Sequence, residues 1–186
     1  MKKLLSFLLS LSLCISAFPV FGAEADEMEN ILLAVKERIP DTEAFEEFNS
    51  SVMENNGAKT YSFDWSSNKD ELYKSMSVSV LDNGIITNYR FYDDSINSYK
   101  LTPAINKLGY DEALIKAQKL VDDLNPSIKG EIKVINSNIN ESLFDNTYRF
   151  QLERVVNGVP VYNNTGNVTI SENAEEIIRY NLNYTP

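Results

Sequence analysis

A chain of 186 residues with 17 basic and 27 acidic side chains, no histidine and a single cysteine excludes several classes of function at once. The net charge of −10 argues against nucleic acid and anionic lipid as partners. The absence of histidine removes the usual general base, the commonest metal ligand and the physiological-pH switch.

Residues 1–25 read as a signal peptide. Lys2 and Lys3 form a basic n-region, Leu4 to Phe21 are apolar or small, and Ala23-Glu24-Ala25 is an A-x-A cleavage site. The mature chain is expected to begin near Asp26. Cleavage takes away Lys2, Lys3 and Glu24, leaving 15 basic against 26 acidic residues, a net charge of −11. It also takes Cys14, so the mature protein has no disulfide, thiol nucleophile or thiolate metal site. Export without cysteines points to a bacterial envelope or secreted protein, with no membrane contact after cleavage. The remaining 161 residues suffice to bury a core without staples.

The first unit is assigned to residues 26–97. Ile31, Leu32, Val35 and Ile39 recur at helical spacing, and Pro40 ends that helix. Glu43 to Phe48 reads as a second short helix, with Ala44, Phe45 and Phe48 on one side, broken by Glu54-Asn55-Asn56-Gly57. Tyr61, Phe63 and Trp65 alternate with polar residues as a strand does, and Ser66 to Glu71 is a polar connection. Met76, Val78 and Val80 form the next strand, Asp82-Asn83-Gly84 a turn, and Ile85 to Tyr92 the returning strand. Residues 98–110 are a connector.

The second unit is assigned to residues 111–186. Asp111 is the predicted N-cap of a helix with Ala113, Leu114, Ala117, Leu120, Val121 and Leu124 on its apolar face, stopped by Asn125-Pro126. Ile128 to Val134 is a predicted strand and Asn136 to Asp145 a polar loop. Tyr148, Phe150 and Leu152 then repeat the alternation of Tyr61, Phe63 and Trp65. Asn157-Gly158 turns the chain, and Pro160 belongs on a sheet edge. Val168 and Ile170 match Val78 and Val80; after a turn at Glu172 to Glu175, Ile177, Tyr180 and Leu182 follow the order of Ile86, Tyr89 and Phe91. The predicted fold class is α+β, as two tandem helix-on-antiparallel-sheet units, a helix being the smallest cover for one apolar sheet face.

In its order of elements the chain resembles the YcdB/YcdC-type repeated domain of exported bacterial proteins, itself similar to PepSY-like, cystatin-like modules of protease propeptides. Glu153 to Val161, with Arg154, Asn157, Gly158, Val159, Pro160 and Val161, looks like that family's R-x-x-N-G-[IV]-P-V strand and turn. Asp111 to Pro126, Tyr61 to Trp65 and Val78 to Tyr89 support it. The resemblance implies a non-catalytic exported binding module, acting as a protease inhibitor or folding assistant. The expected partner is a protein, a secreted protease first among them, met at the strand edge Val159 to Tyr162; cell-wall glycan is the alternative. The candidate binding residues are Arg154, Asn157, Gly158, Val159, Pro160, Val161 and Tyr162, and no catalytic residue, cofactor or metal is expected.

Rival constellations are thin. Asp64 beside Trp65 suggests a sugar-cleaving carboxylate, but the two lie on opposite phases of one strand. Asp82-Asn83-Gly84 with Asp93-Asp94, or Asp122-Asp123, lacks the regular spacing of a calcium loop. Ser75, Ser77 and Ser79 have only Lys74 as a base. The aromatics Tyr89, Phe91, Tyr92, Tyr99, Tyr180 and Tyr184 are candidates for a glycan or peptide groove, with core packing as the competing reading. Arg154 beside the Asn157-Gly158 turn has the competing role of an ion pair bracing that turn.

Overall fold

Alternation of bulky apolar and small polar residues is written along most of the strands, and it folds them into one sheet with its apolar side buried. The computed structural model describes residues 22–39, 41–55, 57–69, 72–94, 108–135, 147–171 and 176–185. Residues 1–21 of the expected signal peptide, most of the expected connector, the expected loop Asn136 to Asp145 and turn Glu172 to Glu175, and Tyr99 lie outside the described residues.

Two helices, α1 (Gly22–Lys36) and α2 (Tyr110–Leu124), accompany eight strands. These are β1 (Glu47–Asn55), β2 (Ala58–Lys69), β3 (Leu72–Leu81), β4 (Ile86–Asp93), β5 (Ile132–Ile135), β6 (Thr147–Val156), β7 (Val159–Ser171) and β8 (Ile177–Leu182). Short 3-10 turns sit at Thr42–Ala44 and Pro126–Ile128. The chain is therefore α+β, dominated by one eight-stranded antiparallel sheet in the order β1-β2-β3-β4-β8-β7-β6-β5.

That order reads as a palindrome, and the registers follow it. Tyr89 of β4 faces Tyr180 of β8 at the centre. Stepping outward from Tyr89, Val78 and then Phe63 are met; from Tyr180, Val168 and then Phe150. Each path is interrupted at the same place, between Ser79 and Val80 in β3 and between Thr169 and Ile170 in β7. Such bulges increase local twist and bend the strand.

The inward phase, including Tyr61, Phe63, Met76, Val78, Phe150, Val168, Ile170 and Tyr180, joins one hydrophobic cluster with Ile31 and Val35 of α1 and Ala113, Ala117 and Val121 of α2. Helix α1 lies over β2, and α2 over β5. Full burial of each large apolar side chain contributes about 1.5–3 kcal/mol. Arg38, just past α1, donates to the carbonyls of Gly84 (2.8 Å) and Leu124 (3.2 Å), which ties the ends of the two helices to the turn before β4. Asn125, 1% exposed, fastens the same place from the other side. Its side chain accepts from the Ile86 amide at 2.8 Å and donates to the Ile86 carbonyl and the Tyr180 hydroxyl, each at 3.0 Å.

Several expectations need correction. Glu43 to Phe48 is not a helix: after the Thr42–Ala44 turn the chain enters β1, an edge strand exposed at all nine residues, so no burial alternation marks it. Ser66 to Glu71 is no open connection, since β2 continues to Lys69 and β3 starts at Leu72. Ile128 closes a 3-10 turn, and the strand begins only at Ile132. Gly109 rather than Asp111 occupies the N-cap of α2, with Asp111 and Glu112 in the first turn, where carboxylates favour the helix dipole.

Candidate functional site

The predicted binding residues lie at the far end of the β6–β7 hairpin. Asn157 (φ 53°) and Gly158 (φ 81°) hold the left-handed conformations that a two-residue hairpin turn requires. Val156 faces Val159, and Val155 faces Pro160. Further along, β7 is paired with β8 only from Gly166 onward, so among the described residues Val159 to Asn164 form no ladder on that side. Pro160, which has no amide to donate, sits on this one-sided stretch. Val159 is 64% exposed and Tyr162 88%. The tip thus presents apolar side chains beside an open backbone edge.

Arg154 lies at the base of the same hairpin and turns the other way. Its Nε donates to Glu131 Oε2 at 3.0 Å. Its Nη1 donates to Asn164 Oδ1 at 3.2 Å and to the Thr185 carbonyl at 3.0 Å, and its guanidinium lies 4.5 Å from the centre of the Tyr184 ring. Asn164, 1% exposed, also accepts from the Thr185 amide at 3.2 Å. The arginine therefore holds the residues after β8 against the hairpin base, and its donors face inward. Asn157, Gly158, Val159, Pro160, Val161 and Tyr162 are brought together at the tip; Arg154 is not part of the exposed group.

Glu131, Asn164 and Thr185 were not singled out by sequence reasoning. They lie 23, 10 and 31 residues from Arg154, and no local spacing connects them.

The other constellations are dispersed. Asp64 accepts from Ser77 Oγ at 2.6 Å on the wet face, while Trp65 is buried on the opposite one. Lys74 is 2.6 Å from Asp93, on the inward phase, and Ser75, Ser77 and Ser79 face outward. Asp94 accepts from the Tyr73 amide and the Tyr92 hydroxyl, Asp122 from Gln118 and the Gly130 amide, and Asp123 from Lys119. Among the described residues no three of His, Cys, Asp and Glu are grouped to hold a metal ion. Of the aromatic groove, Tyr89, Phe91 and Tyr180 pack with the core, and Tyr184 carries Arg154. Burial raises the phenol pKa values of Tyr89 and Tyr180 well above the usual tyrosine range, with the Glu176 charge adding to the shift at Tyr89 and the Asn125 hydrogen bond opposing it at Tyr180.

Comparison with known families matches residues 35–184 to the family described as the YcdB, YcdC repeated domain. Neither the curated proteins nor the solved structures yielded a match.

Proposed function

The chain belongs to the YcdB, YcdC repeated-domain family, and on that premise we propose that it is an exported, non-catalytic binding module that engages a protein partner through the β6–β7 hairpin tip. The module is built of two tandem helix-on-sheet units of PepSY-like, cystatin-like type, residues 26–97 and 111–186, joined by residues 98–110. The palindromic strand order and the paired bulges support this two-unit reading.

The observation that carries the binding reading is the tip itself. Among the described residues Val159 and Pro160 pair with β6 alone and Val161 to Asn164 bulge out of that ladder, so the segment that exposes Val159 and Tyr162 offers a partner both apolar contacts and backbone hydrogen bonds. Strand addition uses those two elements together. Pro160 limits how far such pairing runs, which favours a short contact over uncontrolled sheet growth. A secreted protease is the proposed partner class, and the module's role is inhibition or folding assistance at the bacterial cell envelope.

The test is retention of secreted proteases from the organism's own culture fluid on immobilised protein spanning Asp26 to Pro186, beside a charge-matched acidic control. Retention and dose-dependent inhibition by the native chain are expected, and both are lost in a Val159→Ser, Tyr162→Ser variant with an unchanged unfolding midpoint. Equal retention by the two proteins would remove the tip from the interface.

A further inference from the structure

The outward face of the sheet carries a feature unrelated to the hairpin. Arg90 of β4 and Arg179 of β8 are direct register partners, and both are exposed. Like charges placed opposite each other destabilise a strand pair. Among the described residues neither guanidinium has a hydrogen bond or ion pair. An acidic chain with 27 carboxylates against 17 basic residues has nonetheless left two arginines face to face at the centre of its sheet.

Their immediate neighbours in the row are neutral donors. Ser77 flanks Arg90 and Thr169 flanks Arg179, and Arg149 follows Thr169 in the same cross-strand row. Two strand spacings separate Arg149 from Arg179, about 10 Å. The adjacent row runs through Ser62, Ser79, Asn88, Asn181, Asn167 and Gln151, hydroxyls and amides without a charge. The nearest carboxylate in the arginine row, Asp64, is engaged by Ser77, and Glu153 faces Lys133 across β5 and β6. Two residues beyond Arg90, Tyr92 lies on the same face and pairs with Tyr73 at 6.0 Å between ring centres.

We infer that this outward face binds an acidic oligosaccharide, with a sugar carboxylate held between Arg90 and Arg179 and ring hydroxyls on the amide row. Guanidinium groups match a planar carboxylate through paired N–H donors. Amide and hydroxyl side chains both donate and accept, as sugar hydroxyls do. The tyrosine pair supplies a ring surface for the apolar face of a sugar. An acidic peptide would be met by the same charges and could also use the amide row, but a glutamate chain has no sugar ring face to lay against the tyrosine pair. The residues involved are separate from the hairpin tip, so each reading stands or falls without the other.

The test is calorimetric titration with a galacturonic acid hexamer, against the neutral galactose hexamer and a glutamate hexapeptide. Saturable binding of the acidic sugar alone is expected, weakening as salt rises. An Arg90→Gln, Arg179→Gln variant should lose about tenfold or more in affinity, and Asn88→Ala with Asn181→Ala a smaller factor. Because removing the arginine pair relieves repulsion, the double variant should unfold at or above the native temperature, which separates lost binding from lost fold. Absence of binding, equal binding of the glutamate peptide, or unchanged affinity in the arginine variant would each overturn the inference.

Discussion

The two halves of the sheet, β1 to β4 and β5 to β8, place different chemistry at corresponding positions. Register sets Trp65 and Met76 of the first against Leu152 and Gly166 of the second. One step further out, Ser67 faces Lys74, which is ion-paired to the buried Asp93; in the second half Arg154, Asn164 and Tyr184 cluster there. Both hairpins thus end their inward faces in a polar cluster. The edges differ more. Edge strand β1 has nine residues, all exposed, whereas β5 has only four and buries two of them, Ile132 and Val134, beneath α2. The comparison teaches that the inward pattern of the central strands is constrained by a shared core, while the ends and edges are free to specialise.

Exchanging residues between corresponding positions should break the comparison most severely at Gly166. A Cβ there would stand 2.0 Å from the Asn181 carbonyl oxygen, so β8 has closed onto the glycine. Gly166→Met, which copies the first half, should leave no cooperative denaturant transition, and Gly166→Ala should cost about 3 kcal/mol or more. Asn125→Ala removes the partners of the Ile86 amide and carbonyl together and should cost about 2–4 kcal/mol by urea unfolding.

The two polar clusters come next. Arg154→Ala and Lys74→Ala should each cost about 1–2 kcal/mol, less than for fully buried pairs because Lys74 and Glu131 remain partly in water. Only Arg154→Ala should also free the residues after Leu182, seen as faster amide exchange at Asn183 and Thr185.

A smaller effect is confined to alkaline solution. The central Tyr89 and Tyr180 have folded pKa values raised above the unfolded value near 10.0. Their contribution is fully present below that pH, and stability falls as pH rises above it because the unfolded chain ionises first. Phenolate absorbance from these two residues should therefore appear with unfolding and not before. Smallest of all, Tyr162→Ser at the exposed tip should change stability by less than about 0.5 kcal/mol while abolishing partner retention.

Much of the fold was legible because β2, β3, β6 and β8 bury one phase and wet the other. Tyr61, Phe63 and Trp65, or Tyr148, Phe150 and Leu152, announce both the strand and its inward face. Strand β1 was illegible because it lies at the sheet edge: Phe48 and Val52 share the inward phase and Phe48 packs on Phe63 and Trp65, yet they stay 44% and 42% exposed and the exposed Met53 adjoins them, which blurs the alternation. The hairpin turn at Asn157-Gly158 follows from local chemistry, and the structure places it there. The partners of Arg154 do not, since Glu131, Asn164 and Thr185 converge on it only through the sheet. A mirror relation was present but silent: Asn88-Tyr89-Arg90 meets Arg179-Tyr180-Asn181 residue for residue, and only the central pairing gives that symmetry a meaning.

That central pairing bears on how the chain reaches its fold. Strand β8 is the last of the eight in sequence, yet it lies in the middle of the sheet, between β4 and β7. Until it arrives, β4 and β7 are two raw edges and the core is divided between two partial sheets. Joining them requires contacts across some ninety residues, as between Tyr89 and Tyr180, and long-range strand pairing of that kind is slow. Ribosomal synthesis from the N-terminus consequently cannot close the sheet before β8 has emerged, and until then β4 and β7 have no strand between them.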